Sequence, residues 1–465
     1  MATAPTEYRL HSRYQPEREA ARFLDHHPLS ASCRDIIVLG PGEGYLFTEL
    51  AKRYPHARLT GIQITGKHEG APGNQRARAL HLFTDPERLS AFLDREVQSE
   101  NPANVELVQW PPALRIEAQR AKAALKTLQV WLERLASSYC TTKTFAERWI
   151  INAIRSLRLP HAQLEIDRPL GPIVLASAGP SLDTTIDDIL KKTPRKTWKL
   201  VAVSSAVPAL LARDLIPDLV IHSDGGNWAQ WHLQEPARKQ LPILYQLGAS
   251  IPSSLEGCPL QLVTTGQAWQ QRLLAMRGLR ARNTVQRGTV SALALDIALS
   301  LTDDAIYLAG LDLDSGAIRS HATPYAFDIL AHEGESRTRP LWHWYESRKR
   351  LYKESRAMEI YAQWYRERAQ SRHARCRVLS TSARPSFGMD GVARITPAKR
   401  AGGTISIKTE DASHPWPRRS AEIARELLND QASHRELAEI LGLEAFQPGI
   451  DDRLTAILER ARGRR

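Results

Sequence analysis

Four cysteines in 465 residues are too few, and lie too far apart, for a disulfide framework or a thiolate metal site. Cys33, Cys140, Cys258 and Cys376 form no CxxC pair, so single reduced thiols are expected. No group of His, Cys, Asp and Glu shows metal-ligand spacing, and no metal is expected. No apolar run is long enough to cross a bilayer as a helix, so no membrane span is expected. The opening Met1-Ala-Thr-Ala-Pro-Thr6 lacks the apolar core of a secretory signal, and the expected location is cytoplasmic. The net charge of +12 is not gathered into a basic block; only Arg460-Ala-Arg-Gly-Arg-Arg465 forms a short run. Nucleic acid is therefore not the expected partner. Dispersed positive charge suits an anionic small molecule or an acidic protein. Internal repeats are absent.

What is present is an ordinary globular composition, 42% apolar and 25% charged, long enough for two or three domains. In residues 1–115, Asp35-Ile-Ile-Val-Leu-Gly-Pro-Gly-Glu-Gly-Tyr45 runs from a strand into a G-x-G-x-G turn. A helix over 45–54 and a strand over 58–64 follow, which is a Rossmann-like start. The acid that would hold a ribose is missing: Gln63 stands at the end of the second strand, and the next acid is Glu69. A Rossmann-like domain without NAD or S-adenosylmethionine, which positions an acceptor, is expected. Residues 116–165 read as a helical connector, with Leu125, Leu128, Trp131, Leu132 and Leu135 at helical spacing.

Residues 166–335 alternate strands and helices. The apolar runs 173–176, 200–203, 219–222, 243–247, 260–264 and 305–309 are the strands; 206–213 and 290–300 are helices. The fold class is α/β, with a mostly parallel, doubly wound central sheet. Ligands in such sheets bind beyond the C-terminal strand ends. The polar residues there are Ser177 to Ser181, Ser204, Ser205, Ser223, Asp224 and Asp312. The first turn, Ser177-Ala-Gly-Pro-Ser181, has the small residues that let an anion approach the backbone; an ordinary βα turn has the same composition. Residues 336–400 form an aromatic-rich helical extension containing Leu341-Trp-His-Trp-Tyr345, Tyr352, Tyr361, Trp364 and Tyr365. Residues 401–465 read as linker and C-terminal helices, with a flexible linker over 397–418 and helices beginning at Ser420, Glu436 and Asp451.

The chain resembles the motility-associated factor (Maf) glycosyltransferases, which modify bacterial flagellins. The likeness rests on Ser177-Ala-Gly-Pro-Ser-Leu-Asp183, Val201 to Leu211, Ile216-Pro-Asp-Leu-Val-Ile-His-Ser-Asp224, Gly288-Thr-Val-Ser291, Tyr307-Leu-Ala-Gly-Leu-Asp312 and Arg319-Ser-His-Ala-Thr323. Ser12 to Glu19 and the glycine turn of Ile36 to Tyr45 resemble that family's opening domain. The likeness spans roughly residues 8–400. The central region is similar in turn to bacterial sialyltransferases and to archaeal 6-hydroxymethylpterin diphosphokinases. Tyr325-Ala-Phe-Asp328 is similar to a sialyltransferase segment that contacts the donor phosphate. The sialyltransferases carry Asn where this chain has Ser177 or Ala178, and a second tyrosine where it has Asp314.

The resemblance implies transfer of a nonulosonic, sialic-acid-like sugar from a CMP-activated donor to Ser or Thr hydroxyls of flagellin. The CMP-sugar is a substrate, and no further cofactor is implied. It makes Ser177, Gly179, Pro180, Ser181, Ser204, Ser205, Asp224, Thr289, Ser291 and Asp312 donor-binding candidates and Tyr325 a donor to the leaving phosphate. Thr289 and Ser291 serve equally as a helix cap. For the base, His343, His321 and His332 are the candidates, with His343 placed first and His321 shaping the site. Two other functions stay open: a pterin-type pyrophosphokinase using ATP and magnesium, and a non-catalytic flagellin-binding protein.

Overall fold

The five residues of β1 (Asp35–Leu39) are all buried: Ile36 to Leu39 are an apolar run covered on both faces, and Asp35 is paired with Arg58. The computed structural model describes residues 9–66, 70–99, 101–167, 169–284, 288–313, 320–354, 361–362, 365, 375–379, 389–397, 402–410, 419–443 and 449–462. The chain divides into two units, residues 1–144 and 145–465.

In the first unit β1 pairs in parallel with β2 (Arg58–Gln63) and β4 (Val105–Gln109), and β3 (Ala79–Leu82) lies outside β2. Alternate residues of β1 serve opposite cores. Ile36 and Val38 pack with Leu46, Phe47 and Leu50 of α2 (Tyr45–Arg53) and with Trp110. Ile37 and Leu39 pack with Leu89 and Leu93 of α3 (Pro86–Glu96) and with Leu128 and Trp131. Proline at the first turn of α1 (Pro16–His26), α3 and α4 (Pro111–Ile116) starts each helix where its missing N–H costs nothing. Within the expected connector, residues 118–156 form one long helix, α5 (Ala118–Ser156), and residues 161–166 form a strand instead of helix.

The second unit is built on a sheet in which every described pairing is parallel. Its strands are β6 (Ile173–Ala176), β7 (Lys199–Val203), β8 (Leu219–His222), β9 (Ile243–Gln246), β10 (Leu260–Thr264), β11 (Arg282–Asn283), β12 (Ile306–Ala309), β13 (Cys376–Leu379) and β14 (Gly391–Val392). Their spatial order is β11-β10-β9-β8-β7-β6-β12-β13-β14. The chain enters at β6, builds outward to β11, then returns to the other side of β6 with β12. The strand order thus reverses between β6 and β12, and a crevice outside the carboxyl ends is expected there. α10 (Val290–Leu301) lies against β6, β7 and β8.

The flexible linker expected over 397–418 is corrected. Residues 405–410 form a strand, β15 (Ile405–Glu410), paired antiparallel along the whole of β5 (His161–Ile166). Gly402-Gly403 marks the entry to that strand rather than a tether: Gly403 N–H donates to the Pro169 carbonyl at 3.1 Å. The C-terminal helices Ser420–Asn429, Gln431–Ile440 and Ile450–Arg462 share the core of the sheet through Leu427, Leu437, Leu454 and Ile457. An Arg272–Glu426 ion pair ties them to α9 (Ala268–Arg277).

Candidate active site at the switch point of the central sheet

Two turns meet at the switch point. The turn after β6 holds Ser177, Ala178, Gly179, Pro180 and Ser181; the turn after β12 holds Gly310, Leu311 and Asp312. Ser177 N–H donates to the Ala309 carbonyl and Gly179 N–H to the Gly310 carbonyl, each at 2.8 Å. Ser181 N–H donates to Asp312 Oδ2 at 2.8 Å. A Cβ on Gly179 would lie 2.5 Å from the Gly310 carbonyl oxygen and would also strike Asp312. Gly179 is therefore small because the second turn fills the space beside it. Its N–H is taken up by the Gly310 carbonyl. Asp312 closes the first turn of α6 (Ser181–Thr185) and does the work of a helix cap.

The 320–328 segment is bound to this pair of turns. Ala322 N–H donates to the Ala178 carbonyl at 2.8 Å. Thr323 N–H reaches both Asp183 carboxylate oxygens at 3.1 Å, and Arg213 bridges the Thr323 carbonyl and Asp183. These bonds fix the position of Tyr325. Its ring stacks on His321 with centroids 3.9 Å apart and planes 8° from parallel. Its hydroxyl lies 3.2 Å from His232 Nε2. Phe327 completes the cluster, 4.9 Å from the His232 ring and edge-on to Tyr325 at 5.2 Å. Ser320 Oγ lies 2.8 Å from His321 Nδ1.

The end of β8 adds a buried pair. His222 Nε2 faces the Ser250 carbonyl at 3.2 Å, so that nitrogen carries the proton. Nδ1 then accepts from Ser204 Oγ at 2.9 Å. Burial holds His222 well below the ordinary imidazole range; Asp224 opposes this and His232 adds to it. His232 is pushed down to about 4 by burial, against the opposing field of Asp224. Both imidazoles are neutral at neutral pH. Asp224 is exposed, and its Oδ1 accepts the Gly226 N–H at 2.8 Å. Asn152 steadies that loop by donating to the Gly225 and Gly248 carbonyls at 3.0 and 2.9 Å. Trp149 fills the space in which Gly225 lacks a side chain.

Of the residues expected from sequence, Ser177, Gly179, Pro180, Ser181, Ser204, Asp224, Asp312, His321 and Tyr325 gather at this edge. Ser205 follows Ser204 and is half-buried. Thr289 caps α10 by accepting the Ala292 N–H at 3.2 Å, one of the two uses open to it, and Ser291 is half-buried in the first turn of that helix. His343 is exposed at the start of α12 (Leu341–Glu354), its ring edge-on to Trp342 at 5.6 Å. His332 is exposed and lies 3.8 Å from Glu335. Neither touches Tyr325, His321 or His232 among the described contacts. Asp314, Arg319, Glu69 and Trp364 lie outside the described residues. His222 and His232 were missed by the sequence reading. His222 ends an expected strand, so a strand-end rule could have found it; His232 sits in Asn227-Trp-Ala-Gln-Trp-His-Leu233, which carries no motif.

The glycine turn of the first unit is filled by its own chain. Gly40, Gly42 and Gly44 have φ of +72°, +57° and +87°. The Gly42 carbonyl accepts from Gln63 Nε2 at 2.7 Å and from Asn74 Nδ2 at 3.0 Å. A Cβ on Gly42 would lie 2.6 Å from His11 Nε2. Gln63, standing where a ribose-binding acid would be, braces the turn instead.

Fold and site together define a parallel α/β domain with a histidine–tyrosine cluster beside its switch point. Among the described residues, no group of three or more His, Cys, Asp or Glu is arranged to hold a metal ion, and no helix is long and apolar enough to cross a membrane. Residues 151–316 match the family model described as 6-hydroxymethylpterin diphosphokinase MptE-like. An uncharacterized protein of Treponema pallidum (strain Nichols) is 27% identical over 314 residues, which are 67% of this chain and 66% of the relative. The chain thus spans just under two thirds of that relative. A solved structure of a Maf glycosyltransferase from Magnetospirillum magneticum AMB-1 aligns with 99% of this chain and 78% of its own, at 13% identity and a TM-score of 0.48.

Proposed function

We propose that this protein is a glycosyltransferase that moves a nonulosonic sugar from a CMP-activated donor to Ser or Thr hydroxyls of flagellin in the cytoplasm. The observation that carries the reading is the Tyr325 cluster: a phenol stacked on His321 and bonded to His232, beside the switch point where α/β sheets take their ligands. The sequence resemblance supplies the substrate class. In the step proposed, the bond from the anomeric carbon to the CMP phosphate oxygen breaks, and a bond from that carbon to the acceptor oxygen forms. The transition state is oxocarbenium-like. Tyr325 donates its O–H to the departing phosphate. His321 takes the acceptor's proton, in place of His343 as first choice, because His321 lies against Tyr325 and His343 does not. Asp224 presents an exposed carboxylate to the ribose hydroxyls. Ser204 and Ser205 line the donor side, with Thr289 and Ser291 at the α10 N-terminus. Ser177, Gly179, Pro180, Ser181 and Asp312 build the floor. No metal is required, since CMP leaves with one phosphate. Residues 1–144 are assigned to the acceptor.

The match of residues 151–316 to the MptE-like model favours a second reading, pyrophosphoryl transfer from ATP. Titration calorimetry separates the two. CMP binding without magnesium supports the sugar donor; magnesium-dependent ATP binding without CMP binding replaces it. Intact mass of flagellin co-expressed with the protein then tests transfer. Flagellin binding with no mass change would leave a non-catalytic binding protein.

A further inference from the structure

A phenol O–H prefers the plane of its ring, so Tyr325 has two favoured directions for its proton. His232 Nε2 stands 3.2 Å from the phenol oxygen and selects between them. His232 comes from the 227–233 segment that follows β8, and the residue is 7% exposed. Phe327 and Tyr325 pack on its ring, and Asp224 and His222 at the β8 end are near enough to act on it electrostatically. Burial outweighs the field of Asp224, so the imidazole is neutral and carries one N–H.

We propose that His232 is a positioning residue for Tyr325: its Nε2–H donates to the phenol oxygen and turns the phenol O–H toward the leaving phosphate. This rests on the reading that Tyr325 faces the donor phosphate. The opposite tautomer would draw the Tyr325 proton onto Nε2 and leave the phosphate facing a lone pair. With Nε2–H as donor, two hydrogen bonds run in one direction, from imidazole to phenol to phosphate, and each polarises the next. No proton is transferred along the pair. The fixed N–H holds the phenol in the orientation the transition state needs, which removes reorganisation from the chemical step.

The test uses the full chain with 3-fluorotyrosine at position 325, titrated by fluorine NMR. His232→Gln keeps an amide N–H; His232→Phe keeps the ring and removes the donor. Donation to the phenol oxygen favours the phenolate, so the phenol pKa should be about one unit higher in His232→Phe than in the unsubstituted chain, with His232→Gln close to the latter. An unchanged phenol pKa in His232→Phe, with thermal unfolding unaltered, overturns the donor role. In co-expression, flagellin modification should fall on the order of a hundredfold in His232→Phe and recover to within about tenfold in His232→Gln, with CMP affinity preserved in both. Equal loss in both variants also overturns it. Absence of CMP binding by the unsubstituted chain would sink the sugar-donor reading, while the fluorine titration still decides whether His232 orients Tyr325.

Discussion

The molecule contains two small-residue βα turns, one in each unit, and they differ in what lies next to them. Gly40–Gly44 after β1 and Ser177–Ser181 after β6 both look like phosphate loops. Neither leaves its glycines free. In the first unit His11, Gln63 and Asn74 converge on the turn. In the second, Gly310 and Asp312 do so. The difference lies one strand away. Beside β1 the polar side chains are consumed in bracing the turn. Beside β6, the ends of β7 and β8 and the 320–328 segment gather Ser204, His222, His232, His321 and Tyr325 around neutral, hydrogen-bonding groups. A glycine turn marks where a chain folds closely; the candidate site is marked by what neighbouring strand ends add.

The largest expected effects fall on the turns themselves. Gly179→Val and Gly44→Ala should each destabilise their own unit by on the order of 3 kcal/mol. In Gly179 the new side chain meets the Gly310 carbonyl and Asp312. In Gly44 the cost adds a φ of +87° to collision with the backbone of residues 73 and 74. Thermal unfolding measures both. A Gly179→Val protein that melts normally yet fails to bind CMP would show that the space belonged to a ligand after all, and the comparison would break.

Tyr325→Phe sharpens it from the other side. The ring keeps its stack on His321 and loses only the hydroxyl. Flagellin modification should fall about a hundredfold, as when one donor to a developing anion is removed, with CMP affinity nearly unchanged. Full activity in this variant would move the site elsewhere along the sheet.

Acid should separate the units more gently. His161 and His232, both in the second unit, sit near 4 when folded against 6.5 when free, and burial depresses His222 in the same direction. Between those values the unfolded chain binds protons that the folded one does not. Their contribution is complete above about pH 6.5 and is lost as pH falls toward about 4, on the order of 2 to 3 kcal/mol for each of His161 and His232. In the first unit His81 is lowered by burial too, but it is only half-buried. Hydrogen exchange corrected for intrinsic rate, compared at about pH 7 and about pH 5, should show β6 and β8 losing more protection than β1. Equal losses would remove this distinction.

The central strands were legible because buried parallel strands are short apolar runs with polar ends; 173–176, 219–222 and 260–264 have the bounds that the runs suggest, while 79–82, 105–109, 282–283 and 391–392, outer strands with exposed or half-buried residues, were not read. The order of the strands was not legible, because periodicity says nothing of which strand lies beside which, and the switch point depends on β12 returning to β6. The packing of Asp312 against Gly179 was not legible for a physical reason: a glycine that admits a phosphate and one that admits a carboxylate have the same sequence. β15 was missed because neighbouring glycines and prolines outweighed the alternation Ile405-Ser-Ile-Lys-Thr. His232 was missed because only the fold brings it to Tyr325, 93 residues away.

The smallest effect should come from His343. It stood first among the bases because the resemblance sets it at about the place of the sialyltransferases' catalytic His, in an aromatic segment where burial would keep an imidazole neutral. The structure places it at the surface instead, beside Trp342, which is 61% exposed. Its backbone N–H donates to the Pro340 carbonyl at 2.9 Å, and its carbonyl accepts from Ser347 Oγ at 2.8 Å, both ordinary bonds of a helix start. An exposed imidazole has water for a partner and gains nothing from a preorganised site. His343→Ala should therefore leave flagellin modification within about twofold, while His321→Ala should lose on the order of a hundredfold, the range expected when a general base is removed. If His343→Ala instead abolishes modification with CMP affinity intact, the α12 segment reaches the acceptor during turnover. The base then comes from outside the Tyr325 cluster, and the second unit's advantage over the first no longer rests on that cluster alone.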